Sequence, residues 1–278
     1  MGAASVIDCA GKLLDLSQPQ VMGILNITPD SFSDGGDFLS FDLAMEQAQR
    51  MVEEGAAIID VGGESTRPGA PSVAEMEELD RVIPVIEGIA NTLSVPISID
   101  TSKPNVMRAA VAAGAGLIND VQALQTPGAI DTAADLGVPV CLMHMQGEPR
   151  TMQKNPRYNN VVSEVKVFLT QRIDCCIAAG ISHDRLLIDP GFGFGKTLDH
   201  NLALLRDLQE LMALDLPILV GISRKSMIGA LLDEPAGRRI FGGLAAAVLA
   251  VERGARIIRT HDVKPTADAL AVTAAISL

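Results

Sequence analysis

The stretch Leu186-Leu187-Ile188-Asp189-Pro190-Gly191-Phe192-Gly193-Phe194-Gly195-Lys196 contains the pattern on which the fold reading turns. A short run of branched aliphatic residues ends on a carboxylate, passes through a glycine-rich turn, and leads into an amphipathic stretch, Leu198–Leu214. Such a run marks a strand covered on both faces, as in a parallel sheet, and the following stretch marks its covering helix. The same unit recurs in both directions along the chain. Its other apolar runs are Val21–Ile27, Ala56–Val61, Pro96–Asp100, Leu117–Val121, Val138–Met143, Pro217–Ile222 and Ile257–Thr260. Helical patterns between them include Leu43–Glu54, Val73–Leu93 and Asn160–Ala179. Gly55, Gly114, Gly137, Gly180 and Gly254 stand where helices should end before the next strand. Eight strands alternating with helices in about 250 residues predict an α/β fold, a TIM (β/α)8 barrel. An open doubly wound sheet is the alternative, but its Gly-x-Gly-x-x-Gly turn after the first strand is missing. Residues 1–20, with a turn at Gly11–Lys12, read as a short N-terminal hairpin across the barrel's bottom. No linker or shift of composition divides residues 1–278, which predicts a single domain.

Composition narrows the function classes. The chain has 278 residues, 48% hydrophobic and 20% charged, which excludes disorder. Its net charge of −12 is the opposite of the basic field that a nucleic-acid groove needs. Cys9, Cys141, Cys175 and Cys176 fit neither a zinc cage nor a disulfide framework, so reduced thiols in a cytoplasm are the expectation. The first ten residues lack a basic region followed by a long apolar core, and no run approaches the roughly 18 apolar residues of a membrane span.

Catalytic groups of a TIM barrel lie at the C-terminal ends of its strands. Almost every apolar run here finishes on or beside a polar or ionisable residue: Asn26, Asp60, Asp100, Asn119–Asp120, His144, Asp189, Ser223 and Arg259–His261. Asp100 or Asp189 alone would read as an Asx cap on the next helix. Together with Asn119 they form converging acceptors and donors suited to a flat heterocycle with an amidine or guanidine edge. Lys196 is followed by Thr197, but the first glycine of the nucleotide P-loop pattern Gly-x-x-x-x-Gly-Lys-Ser/Thr would fall on Pro190, so that pattern fails. In a chain only 3% aromatic, Phe192 and Phe194 are candidates for stacking on a ring as much as for filling the core.

Gly221-Ile-Ser-Arg-Lys-Ser-Met-Ile-Gly229 crosses from the seventh strand into a helix that Ser223 can cap. Arg224, Lys225, Arg259 and Arg67 would then make a cationic pocket at the usual phosphate end of the barrel. Cys141 and Met143 read most simply as core. Two turn-rich loops, Thr28–Gly36 and Gly62–Gly69, look like lids over a bound substrate. In the first, Asp34 is an anion with no adjacent cation in sequence. It either forms a turn before Gly35-Gly36 or stabilises positive charge developing on a substrate.

Met22-Gly-Ile-Leu-Asn-Ile-Thr-Pro-Asp-Ser-Phe-Ser-Asp-Gly-Gly36 and Asp60-Val-Gly-Gly-Glu-Ser-Thr-Arg-Pro-Gly69 closely resemble the two signatures of the bacterial dihydropteroate synthase family. Asp100-Thr-Ser-Lys, Asn119-Asp, Leu142-Met-His-Met, Asp189-Pro-Gly-Phe-Gly-Phe-Gly-Lys, Ser223-Arg-Lys-Ser and Arg259-Thr-His-Asp match it in order and spacing, over nearly the whole chain. The resemblance implies a transferase of folate biosynthesis and a sulfonamide target. It would join p-aminobenzoate to 6-hydroxymethyl-7,8-dihydropterin diphosphate with Mg2+ present. By the same resemblance, Asp100, Asn119, Asp189 and Lys225 bind the pterin, with Met143, Phe194 and Gly221 about its ring. Asn26 holds the metal, and Asn26, Arg259 and His261 take the diphosphate. Thr66, Arg67, Phe194 and Ser226 border the aminobenzoate, while Asp34, Asp100 and Lys225 are the catalytic candidates. A cytoplasmic homodimer with small-molecule substrates is implied. The stretch Asp233–Gly243 is less familiar, and inhibitor sensitivity could vary there.

The chemistry agrees with that implication. An arylamine is a weak nucleophile, so a metal and cations must stabilise the departing diphosphate. Rival readings are a pterin-dependent corrinoid-protein methyltransferase, a phosphosugar isomerase or aldolase, and a non-catalytic pterin-binding protein. The first would lack the Thr-Pro-Asp-Ser-Phe-Ser-Asp loop, the second needs a Schiff-base lysine or a glutamate base, and a turnover assay separates the third.

Overall fold

The computed structural model describes residues 5–27, 37–65, 69–70, 72–148 and 151–277. Its first strands, β1 (Val6–Cys9) and β2 (Lys12–Asp15), pair antiparallel. Eight parallel strands follow: β3 (Gln20–Asn26), β4 (Ile58–Gly62), β5 (Ile97–Asp100), β6 (Leu117–Asp120), β7 (Val140–Met143), β8 (Leu186–Asp189), β9 (Ile218–Val220) and β10 (Ala255–Thr260). They close as a barrel when β10 pairs with both β3 and β9. Helices α1 (Asp37–Glu53), α2 (Glu75–Thr92), α3 (Pro104–Ala112), α4 (Ala129–Leu136), α5 (Val161–Ala178) and α6 (Leu198–Arg206) connect successive strands. Between β9 and β10 lie a short α7 (Ser226–Leu232) and α8 (Ile240–Glu252), and α9 (Val263–Ser277) ends the described chain. This is the expected TIM barrel with an N-terminal hairpin.

The apolar runs conceal a two-residue alternation. Ile59, Val61, Ile99, Ile118, Leu142, Ile188 and Val220 face outward and join the helices in one core cluster. Met22, Ile58, Leu117, Cys141, Leu187, Leu219 and Ile257 face the lumen and pack on Ile7, Cys9, Leu14 and Leu16 of the hairpin. Side chains in a strand alternate faces, so the next inward residue lies two positions further up. Those residues are Ile24, Asp60, Asn119, Met143, Asp189, Gly221 and Arg259, with Asp100 two beyond Ser98 on β5. The lumen is therefore apolar at its floor and polar at its mouth.

Two expectations need correction. The hairpin turns on Ala10 (φ 54°) and Gly11 (φ 87°), one residue earlier than Gly11–Lys12. A two-residue turn of this hand needs positive φ at both central positions, and Asp8 Oδ1 secures it by accepting from the Gly11 N–H at 2.6 Å. The amphipathic run Leu198–Leu214 is not one helix. It breaks at Asp207 and continues as a 3₁₀ segment, Leu208–Leu214, whose tighter period places Leu208 and Leu211 together in the core.

Candidate active site

Arg259 rises inside the barrel from β10 and bridges two other strands. Its Nε donates to Asp60 Oδ2 at 2.5 Å, and its Nη2 donates to Asp100 Oδ2 at 2.7 Å. Asn119 Nδ2 donates to the same Asp60 oxygen at 3.2 Å. Gly221 sits beside this arginine, where a Cβ would already touch Arg259 Cβ at 3.8 Å. Asp60 is wholly buried, and its Oδ1 has no hydrogen-bond partner among the described residues. Burial pushes the Asp100 carboxyl up to about 7 against the pull of Arg259, with Asp60, Asp120 and Glu78 adding repulsion. Burial also raises Asp189, while Lys225, the Gly191 N–H, Arg259 and Lys196 oppose it. Acceptors so poorly solvated gain strongly from a ligand that offers paired N–H groups.

The glycine-rich loop after β8 is held by side chains. Asp189 Oδ1 accepts from the Gly191 N–H at 2.7 Å, and Asn201 Oδ1 accepts from the Gly193 N–H at 2.8 Å. Lys225 donates to the Phe192 carbonyl, and the Tyr158 hydroxyl donates to that of Gly195 at 2.9 Å. Gly191 has φ +70° and lies so close to β7 that a Cβ would fall 1.9 Å from the His144 carbonyl oxygen, so only glycine fits. The two phenylalanines divide their labour. Phe192 is fully buried among core residues, whereas Phe194 is half-buried with the Lys225 ammonium 4.5 Å from its ring centre. Burial lowers Lys225 to about 8; Asp189 and Asp100 resist that shift, and Arg259 adds to it. Met143 is buried in the lumen between Asn119 and Asp189 in strand order, at the mouth of the barrel rather than in its apolar floor.

The anion end differs from its sequence reading. Ser223 does not cap α7; the N-cap position is Lys225, and α7 has only seven residues. Ser223 Oγ instead lies 3.1 Å from His261 Nδ1 and accepts from the His261 N–H at 3.2 Å. Arg224, at φ 58°, turns outward into a bidentate pair with Asp262 at 2.6 and 3.1 Å. That pairing removes it from the expected cationic pocket. Ser226 is exposed at the rim, and Asn26 is half-buried at the end of β3. Asp34, Thr66 and Arg67 lie outside the described residues.

Other strand-end polar residues serve the scaffold. Asp120 faces outward and holds the following turn through Ser102 Oγ and the N–H groups of Gln122 and Leu124. His144 contacts Lys196, a residue that sequence reasoning set aside once the P-loop pattern failed. Asp60 was also passed over as a site residue. The signal for it was available, since an aspartate within an apolar strand and followed by Val61-Gly62 cannot be capping a helix.

A family model described as pterin binding enzyme matches residues 22–261. The chain is 56% identical over 261 residues to the dihydropteroate synthase of Haemophilus influenzae, covering 94% of this chain and 95% of that one. The structure of Xanthomonas albilineans dihydropteroate synthase with 4-aminobenzoic acid superposes with a TM-score of 0.94 at 53% identity, covering 99% of each chain. The same enzyme in complex with 7,8-dihydropteroate superposes with a TM-score of 0.89 at 50% identity, covering 98% of each. Barrel, polar mouth and similarity over nearly the whole length thus agree, and the chain belongs to the pterin binding enzyme family, among its bacterial dihydropteroate synthases.

Proposed function

We propose that this chain, acting as one domain over residues 1–278, condenses p-aminobenzoate with 6-hydroxymethyl-7,8-dihydropterin diphosphate to give 7,8-dihydropteroate and pyrophosphate. The observation that carries this reading is the set of carboxylates at the C-terminal mouth: Arg259 bonds the buried Asp60 and the nearly buried Asp100 and also acts electrostatically on the buried Asp189. Asp100, Asn119 and Asp189 take the pterin's N–H edge, and Phe194 and Met143 pack on its ring. Lys225 lies between Phe194 and Asp189 and points its charge at the ring. Arg259 and His261 meet the diphosphate, Thr66, Arg67 and Ser226 border the arylamine, and Asp34 on the first loop faces the positive charge that develops at the pterin methylene. Bond breaking needs leaving-group stabilisation more than a nucleophilic side chain, which is why no covalent nucleophile is required.

Mg2+ fits the donors at the mouth. A Cβ on Gly62 would lie 3.6 Å from Asn26 Oδ1 and 3.8 Å from Asp100 Oδ2, so the absent side chain leaves a hard-oxygen cradle open. Among the described residues no cluster of three or more His, Cys, Asp or Glu forms a complete cage. That suits an ion held by one or two protein oxygens together with substrate phosphates. When bound, the ion would neutralise charge building on the departing diphosphate.

A homodimer is supported by apolar side chains left exposed on two contacting helices, Phe241 and Leu249 on α8 with Val272 and Ile276 on α9. A cytoplasmic site is supported by four free cysteines, and no described helix is long and apolar enough to cross a membrane.

Incubating the protein with both substrates and Mg2+ should yield dihydropteroate by mass spectrometry and stoichiometric pyrophosphate. Folded protein that forms neither product would defeat the reading. The same site sets a pH profile. Asp100 must be ionised to accept from the pterin, so kcat/KM for the pterin diphosphate should rise as pH passes about 7. Lys225 loses its charge as pH passes about 8, so the value should fall again. A profile flat from pH 6 to 9, roughly the span of both groups, would show that neither carries the step.

A further inference from the structure

Lys196 closes the glycine-rich loop, and its side chain turns inward under that loop, only 3% exposed. Its Nζ lies 2.8 Å from the Gly191 carbonyl oxygen, 3.1 Å from that of Phe194 and 2.9 Å from His144 Nδ1. The His144 carbonyl oxygen lies at 3.4 Å as well, so the ammonium meets four acceptors contributed by two loops. His144 is kept neutral, pushed down to about 3 by burial with help from Lys196, and so leaves Nδ1 free to accept. None of these partners is a carboxylate. Burial lowers the Lys196 pKa to about 7 while Asp189 opposes the shift; an amine so enclosed among neutral acceptors is an expensive way to satisfy three carbonyls, and its cost needs a reason. The loop provides one, because Gly191, Gly193 and Gly195 all adopt positive φ and impose little shape themselves. Between them stand Phe194, which carries the Lys225 ammonium on its ring, and Phe192, whose carbonyl receives the same lysine.

We propose that Lys196 is a positioning residue of the pterin site: its enclosed ammonium templates the glycine-rich loop, and the loop in turn fixes Phe194 and Lys225 against the ring. The inference rests on the pterin reading above, and the two can fail separately. The full-length protein labelled with 4-fluorophenylalanine gives a fluorine resonance for Phe194, assigned through Phe194→Leu. In Lys196→Met, which keeps an unbranched chain and loses every donor, that resonance should move or split. The affinity for 6-hydroxymethylpterin by calorimetry should fall about tenfold, as for a lost charge-assisted bond. The KM for p-aminobenzoate at saturating pterin diphosphate should change by less than about twofold. An unmoved Phe194 resonance with unchanged pterin affinity, even at a lower melting temperature, would make Lys196 a stability residue and overturn the proposal. If Lys196→Met does not fold, Lys196→Gln, which keeps two donors for the loop carbonyls, is read in the same two ways. Native protein that binds no hydroxymethylpterin defeats the pterin reading itself, whereas native binding with an unaffected variant defeats the positioning role alone.

Discussion

Arg259→Met should weaken binding of bare 6-hydroxymethylpterin about 100-fold and lower folding stability by about 3–5 kcal/mol, the usual effect of breaking a buried ion pair. The arginine contacts both Asp60 and Asp100, and its own side chain is 20% exposed. Its loss would leave two carboxylates facing each other in a water-poor lumen. Asp100, already raised to about 7 while Arg259 pulls it down, would rise further and hold its proton at neutral pH. A protonated carboxyl turns one oxygen into a donor and no longer offers both oxygens, charged, to a pair of N–H groups. The sign of the linked pH effect separates this cause from lost packing. A carboxylate whose folded pKa exceeds its unfolded value near 3.8 destabilises as pH rises from about 4 through the folded pKa. The deficit of the variant should therefore be small at pH 5 and large at pH 8, as measured by urea unfolding. A deficit equal at both would mean that only volume was lost, and affinity for the bare pterin near the native value would remove Arg259 from the pterin side and confine it to the diphosphate.

Asp189→Asn should cost about 2–4 kcal/mol of pterin binding, on the order of 30- to 1000-fold. The Gly191 N–H already occupies one carboxylate oxygen at 2.7 Å. In the variant the amide oxygen keeps that bond, since a glycine at φ +70° under β7 cannot move away. The amide nitrogen then points at the ligand, donor against donor. Asp189 also raises Lys225, so its neutralisation should shift the alkaline limb of kcat/KM below its native position near 8. Calorimetry and a pH series on the folded variant check both effects. Affinity within about twofold of native would assign Asp189 to the loop alone.

The barrel was legible because each strand was followed by a polar end residue and a helix, and long periodic segments survive local exceptions. The sites of failure share a cause: each depended on which neighbour a side chain reaches across the fold. Arg224 and Arg259 read alike as cations near a phosphate end, yet one is drawn off by Asp262 and the other is drawn inward by Asp60 and Asp100. Arg259 is consequently tied to Asp60 and Asp100 inside the lumen, beyond the diphosphate role its position implies. Asp120 and Asn119 are adjacent and looked equivalent, but strand alternation sends one out to a turn and the other into the lumen. Phe192 and Phe194 divide in the same way, and Ser223 chose His261 over the helix end it precedes in sequence.

The hairpin at the foot of the barrel has an electrical consequence. Ile7, Cys9, Leu14 and Leu16 close the lumen beneath Asp60, and Cys9 lies so near the β5–β6 connection that a Cβ on Gly116 would fall 2.3 Å from its carbonyl oxygen. Water reaching the lumen from below would raise the local permittivity from a low interior value toward about 80 and cut each charge interaction severalfold. Asp100 would then revert toward an ordinary acid, Arg259 would relax its hold, and the mouth would lose its preference for paired N–H donors over solvent. The hairpin Val6–Asp15, with Leu16, thus acts as an insulator, and the chemistry at one end of the barrel depends on the seal at the other.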